Sequence, residues 1–211
     1  GSTDGSSEML ARFETVPKVL VIRKTANMGI YSAWNEIIAS CPQADVLILG
    51  GDTQALTSNW FTALCYHMDR YPRCGIVAGQ QVKPEKDGRL RIVYGGTNDN
   101  SGQHPHKTGW ADQRDHHEAT RHAWVTHTNV LIRREVFDAV GLYDDKDFRF
   151  YCGDHEFGRR AGKAGWESWY TPYSTILHWE SRGIHEARVR GEATDAVLRK
   201  EHDRIGAVVR L

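Results

Sequence analysis

The sequence predicts an α/β fold with an antiparallel part, on three observations. Two short, continuous β-favouring runs, Val19-Leu20-Val21-Ile22 and Asp45-Val46-Leu47-Ile48-Leu49, have the pattern of strands buried on both faces of a mainly parallel sheet. Apolar residues at helical spacing lie between these runs and again after the second. An Asp87-Gly88 turn followed by Leu90-Arg91-Ile92-Val93-Tyr94 predicts a hairpin.

Each element follows from local pattern. Ala33, Trp34, Ile37 and Ile38 share one helical face, and that helix is expected to end near Cys41-Pro42. Trp60, Phe61, Leu64, Cys65 and Met68 repeat the period, with Pro72 marking the stop; Cys74 to Ala78 reads as a third strand. From Gly95 to Ala123 the chain is polar, with Asn98, Asp99, Asn100, Gly102 and Pro105 as turn formers, so a long functional loop is expected. Its histidines, His104, His106, His116, His117 and His122, match no tight zinc spacing and are read as solvated loop residues. Val130-Leu131-Ile132 then leads into a short helix, Arg134 to Val140, stopped by Gly141. The tail from Ala193 to Val209 is expected as a helix, with Val197, Ile205 and Val208 apolar.

Composition narrows the function classes. With 211 residues and 40% hydrophobic content, one domain around one core is expected. Lys plus Arg equals Asp plus Glu at 27 each, so no net field draws the chain to nucleic acid, acidic polymer or anionic membrane. Cys41, Cys65, Cys74 and Cys152 show no repeated short spacing, which fits neither a disulfide framework nor a four-cysteine zinc site. The longest apolar runs are too short to span a bilayer and no charged-then-apolar leader opens the chain, so the expectation is a soluble, cytoplasmic protein.

The chemistry concentrates between Asp154 and Gly183. Asp154-His155-Glu156-Phe157-Gly158-Arg159-Arg160 opens an Arg-rich amphipathic turn with a carboxylate pair, and His178-Trp179-Glu180-Ser181-Arg182-Gly183 follows a short strand. A candidate general base and a candidate metal ligand therefore stand on adjacent elements. Each residue also has a plainer role. Asp154 suits a helix cap, Asp52 after two glycines suits a turn, His178 suits a satisfied core histidine, and Arg159 and Arg160 suit a solvated helical face.

Read in order, six stretches resemble the family 2 inverting glycosyltransferases of the GT-A fold. They are Gly1-Ser2-Thr3-Asp4-Gly5-Ser6; Asn27-Met28-Gly29 with Asn35; Leu49-Gly50-Gly51-Asp52-Thr53; Asp87-Gly88-Arg89 with Gly95; Ile132 to Phe137 with Gly141 and Asp144; and Asp154 with His178 to Gly183. Short Gly and Asp patterns recur by chance, and their joint order carries the resemblance. It implies a GT-A (Rossmann-like) mixed, mainly parallel sheet flanked by helices. It also implies transfer of a sugar from a nucleoside-diphosphate donor, UDP-linked, to an acceptor hydroxyl with inversion. In that scheme Asp154 is the general base, with Glu156 and Trp179 on the acceptor side. Asp4, Asn27, Gly29, Asn35, Gly51, Asp52, Ser181 and Arg182 line the nucleotide-sugar, while Asp52 and His178 hold Mn2+ or Mg2+. Residues 1–80 would form the donor half, 81–192 the acceptor and catalytic half, and 193–211 a closing helix.

This sequence departs from the family pattern at two places. Gly50 stands where relatives carry the first carboxylate of the metal motif, and Gly153 where they carry Glu before the base. The resemblance further implies a strand–helix–strand unit before the opening loop, so a longer polypeptide is expected, with strands from a partner chain or a rearranged sheet as alternatives. The acceptor class stays open among polysaccharide, protein, lipid-linked sugar and modified nucleic acid. A catalytically silent relative that binds nucleotide or glycan is the alternative reading. A nucleotidyltransferase fits less well, because the Asp154 and His178 stretches belong to the sugar-transfer pattern.

Overall fold

A computed structural model describes residues 5–96, 109–110, 118–179 and 182–209. The chain runs α1 (Ser6–Ala11), α2 (Ile30–Ser40), β1 (Val46–Leu49), β2 (Thr53–Ala55), α3 (Trp60–Arg70), β3 (Cys74–Pro84), β4 (Leu90–Tyr94), β5 (Gly109–Trp110) and β6 (Thr120–His122). It continues through β7 (Asn129–Ile132), α4 (Arg134–Val140), α5 (Gly153–Lys163), β8 (Glu167–His178), α6 (Arg182–Val189) and α7 (Asp195–Val209). Helices α2, α3, α4 and α7 sit where the sequence pattern put them, and Gly141, at φ 79°, closes α4 as expected, whereas α1 and α6 were not expected as helices.

The α/β expectation holds, but the sheet's pairing differs from the mainly parallel one. Of its ladders, β3 with β8 is parallel, whereas β1–β7, β3–β7, β3–β4, β4–β5, β2–β8 and β6–β8 are antiparallel. A continuous apolar run shows that a strand is buried on both faces and leaves the direction of its neighbours open. Val19 to Ile22, expected as a strand, forms no ladder; Val19 and Leu20 are exposed. β-propensity without a partner for the backbone N–H and C=O groups does not make a strand. The polar stretch after Gly95 likewise holds two short strands, β5 and β6, while His104, His106, His116 and His117 lie outside the described residues.

β3 is the spine of the sheet. Ile76, Val77 and Ala78 pair with β7 on one edge, Val82 to Pro84 pair with β4 further along that edge, and β8 runs parallel along the other. One face is packed by α2, α4 and α5 through Tyr31, Ile38, Val136, Phe137, Phe157 and Ala161; α3 covers the other through Leu64 and Met68 against Cys74, Val77 and Leu131. Helices on both faces are the layer solution for such a sheet.

β8 changes partners halfway. Ser168 to Tyr170 pair with β6 and Ile176 to His178 pair with β2, and against β3 the register jumps from Gly79–Thr171 to Gln80–Thr175. Pro172 lies in the jump and has no N–H to give to a ladder. The bulged backbone closes on Gly79, where a Cβ would sit 2.5 Å from the Ser174 carbonyl oxygen and 2.2 Å from Asn129 Nδ2. Gly79→Ala is therefore expected to cost about 3 kcal/mol in urea unfolding. Gly162→Ala, on α5 where a Cβ meets nothing within 4 Å, should be neutral or stabilising by up to about 1 kcal/mol.

Candidate active site

The partner change in β8 delivers His178 to the turn after β1. Thr53 pairs with His178, the Trp179 N–H donates to the Asp52 carbonyl at 3.1 Å, and Asp52 Oδ1 lies 3.5 Å from His178 Nε2. Asp52 is thus both a turn residue and the neighbour of His178. On the far side of the ring, His178 Nδ1 is 2.7 Å from Gln81 Oε1. With the Gln81 amide turned oxygen-first to the ring, Nδ1 is the donor and Nε2 is left facing the carboxylate. Two acceptors facing each other are reconciled by a proton on the ring or by a shared cation.

The pair fits a hard divalent ion. Adjacent oxygen ligands of Mg2+ at about 2.1 Å stand roughly 3 Å apart, and the 3.5 Å separation needs little adjustment. Among the described residues no group of three His, Cys, Asp and Glu side chains could hold a metal, so diphosphate oxygens and water would complete the shell. Gln81 would act as the outer partner that sets the tautomer. Sequence reading missed it because it is one of two adjacent glutamines in an otherwise apolar buried strand.

Asp154 stands at the head of α5 but does not cap it. The position before the helix is Cys152, whose φ of 63° is left-handed. Asp154 Oδ1 accepts from the His155 N–H at 2.9 Å, and the Asp154 N–H donates to Tyr31 Oη at 3.3 Å. Around it lies a buried polar cluster of Tyr31, Tyr143, His127 and Cys152. Burial, then the negative charge of Asp154, holds the Tyr31 and Tyr143 phenols well above their ordinary range, and the Cys152 thiol is pushed up by the same two causes.

His127 links this cluster to the Asp52 turn. Its neighbour Thr128 accepts from the Gly50 N–H at 3.0 Å, its Nδ1 is 2.5 Å from Tyr143 Oη, and its ring packs edge-on against Phe157. The Asp52–His178 pair and Asp154 therefore stand at one end of the sheet, joined through the residues before β7. No pattern around His127 in the sequence marked it.

The remaining expected site residues fall into different surroundings. Glu156, buried, is held by Arg160 through two hydrogen bonds of 2.6 and 2.8 Å, and Arg160 also donates to the Val140 and Leu142 carbonyls. Arg160 is thus a tie between α5 and the end of α4, not a solvated side chain. Asn35 accepts from the Tyr143 N–H at 3.0 Å and donates to the Tyr143 carbonyl at 2.9 Å, so both ends of its amide are spent on the loop after α4. Asn27 accepts from the Gly29 N–H, donates to Glu192 at 2.8 Å, and its carbonyl accepts from Arg149. Gly29, at φ 90°, admits Arg149, whose carbonyl oxygen would lie 2.6 Å from a Cβ there. Gly51 faces open space and Trp179 is partly exposed beside His178. Asp4 and Ser181 lie outside the described residues, and Arg182 is the first residue of α6.

Both family departures have a packing context. A Cβ at Gly153 would sit 2.5 Å from the Tyr31 ring, so Glu there and Tyr31 in this position exclude each other. A Cβ at Gly50 would meet Asp52 Oδ1, Thr128 Cγ2 and Thr53 Cγ2 at 3.2 Å each.

Comparison with known proteins places the chain. The model of the family "Glycosyl transferase family 2" matches residues 1–141. The N-acetylglucosaminyl-diphospho-decaprenol L-rhamnosyltransferase of Mycobacterium tuberculosis, in strains CDC 1551 and H37Rv, is 28% identical over 96% of this chain and 69% of its own length. The crystal structure of GalNAc-T7 with UDP, GalNAc and Mn2+ superposes with a TM-score of 0.58 at 16% identity; it covers 84% of this chain, which spans 36% of that one. The likeness shows the GT-A fold.

Burial lowers the His127 pKa to about 4, against an upward pull from Asp154. The unfolded chain takes up this proton below about pH 6.5 and the folded chain only near 4. Stability should be full above pH 6.5 and fall as pH drops toward 4, by on the order of 3 kcal/mol from this ring. Urea midpoints across that window should show a smaller decline in His127→Gln than in the wild type.

Proposed function

Because the chain belongs to glycosyl transferase family 2, we propose that it moves one sugar from a nucleoside-diphosphate sugar to an acceptor hydroxyl with inversion. The observation that carries this reading is the opposed Asp52 and His178 acceptors at the end of the sheet where Asp154 is held. Asp154 takes the proton from the acceptor hydroxyl while its oxygen attacks the anomeric carbon opposite the diphosphate. The bond to the diphosphate breaks and its electron pair leaves with the nucleotide, which inverts the centre. Asp52 and His178 would hold Mn2+ or Mg2+, which when bound neutralises charge on the leaving diphosphate. Glu156, engaged by Arg160, shapes the acceptor side indirectly, and Trp179 offers an aromatic face there. Asn27, Gly29 and Asn35 support the donor half by holding its loops, leaving Gly51 and Asp52, with Asp4, Ser181 and Arg182, as the donor contacts.

The solved GalNAc-T7 complex holds UDP, which supports a UDP-linked donor, whereas the mycobacterial relatives are L-rhamnosyltransferases acting on a diphospho-decaprenol acceptor. Both donor types belong in the test, and a lipid-linked glycan is the acceptor class with most support. All four cysteines are free thiols, which supports a cytosolic setting; no helix among the described residues is long and apolar enough to cross a membrane. The silent-binder reading is favoured by the engagement of Asn35 and by Gly50, and it predicts binding without turnover.

Nucleoside-diphosphate release from UDP-, GDP- and dTDP-sugars, L-rhamnose included, with and without manganese, tests the proposal. Asp154→Asn should lower turnover by about 10²–10⁴-fold while donor affinity stays within twofold. Turnover at the wild-type rate in that variant would remove Asp154 as the base. Separately, Asp52→Ala and His178→Ala should each weaken Mn2+ binding, read by titration calorimetry, without unfolding the chain.

A further inference from the structure

We propose that Glu201 of α7 is a positioning residue for Asp154: its carboxylate clamps the turn that aims the head of α5. This rests on reading Asp154 as the base. Glu201 is 3% exposed and accepts from three successive backbone N–H groups, Arg149 at 2.9 Å, Phe150 at 3.2 and 3.3 Å through its two oxygens, and Tyr151 at 2.6 Å. These residues form no helix or strand, so the carboxylate takes the place of a ladder for their donors.

The turn needs holding. The next residue, Cys152, sits at φ 63°, a conformation in which a Cβ crowds the backbone and which side chains other than Gly, Asn and Asp seldom adopt. Such a conformation persists when its surroundings over-determine it. Upstream the surroundings are Glu201; beside it, Cys152 Sγ lies 3.5 Å from His202 Nδ1; downstream, Tyr31 Oη accepts from the Asp154 N–H. Glu201 is itself anchored, since Ile205 of α7 enters the main core and Leu198 belongs to a small cluster against which Phe150 and Tyr151 pack. Asp154 follows Cys152 by two residues, so rotation at Cys152 would swing its carboxylate away from the end of the sheet where Asp52 and His178 meet. α7 thus acts on the base through the turn.

The test uses the full chain and nucleotide release from its best donor. In folded Glu201→Gln, which places an amide NH2 against these N–H groups, kcat should fall at least tenfold with the donor KM within twofold. Adding Cys152→Gly, which accepts the left-handed conformation without enforcement, should bring kcat back to within threefold of wild type. Wild-type kcat in Glu201→Gln, or no recovery in the double variant, overturns the proposal. Asp154→Asn run alongside separates the cases: if it retains turnover, the reading of the base has failed first. Hydrogen exchange on the wild type keeps the idea testable if Glu201→Gln does not fold. The amides of Arg149, Phe150 and Tyr151 should be protected like the buried part of α7, and exchange at the rate of an exposed turn would overturn the clamp.

Discussion

The site depends on one constraint, that β8 must exchange one partner for another without leaving the side of β3. Pro172 supplies no ladder donor, the backbone bulges, and the bulge is accommodated only because Gly79 leaves its Cβ position empty. Beyond the bulge β8 pairs with β2 and ends beside the Asp52 turn. A straight β8 would carry His178 elsewhere, and the two acceptors would not meet. The same strand, nearer its start, closes the core with Tyr170 and supports β6. Packing and chemistry thus share one element, and the glycine that relieves the packing also decides the chemistry.

Asp154 is held from below by a different kind of interaction. Its backbone rests on Tyr31 from α2, and its charge is felt by phenols, an imidazole and a thiol whose burial keeps them neutral. The Tyr31 ring occupies the space that a side chain at position 153 would need, so the loss of the family's Glu and the presence of this tyrosine are two sides of one packing solution. One turn along, Glu156 holds Arg160 by a bidentate pair within α5, and Arg160 in turn ties that helix to the Val140 and Leu142 carbonyls at the end of α4.

Much of the fold was legible along the chain. The helices over Ile30–Ser40, Trp60–Arg70 and Arg134–Val140 follow from spacing and stop signals, and the β3–β4 hairpin follows from Asp87-Gly88. The Val19 to Ile22 run failed as a strand because propensity is a property of the segment and a ladder is a property of a pair. At the site, Asp52, Asp154 and His178 stood out because their residue types and order matched a known pattern. Gln81, His127, Tyr31 and Glu201 did not, since each acts through a neighbour distant in sequence: Gln81 on His178, Tyr31 on Asp154, Glu201 on the turn at 149–151. Asn35 shows the converse, a residue expected at the donor whose amide the fold spends on Tyr143.

The sequence by itself determined the alternation of helices and strands, the glycine and proline positions that bend them, and the order of residues capable of acid–base and metal chemistry. These are local properties, set by backbone freedom and side-chain type within a few residues. Tertiary structure alone decided strand direction, the 3.5 Å meeting of Asp52 with His178, the floor of buried aromatic residues under Asp154, and the clamp from α7. Each of those requires groups far apart in the chain to satisfy one another's hydrogen bonds and volume at once, and that condition is met only when the whole chain is packed.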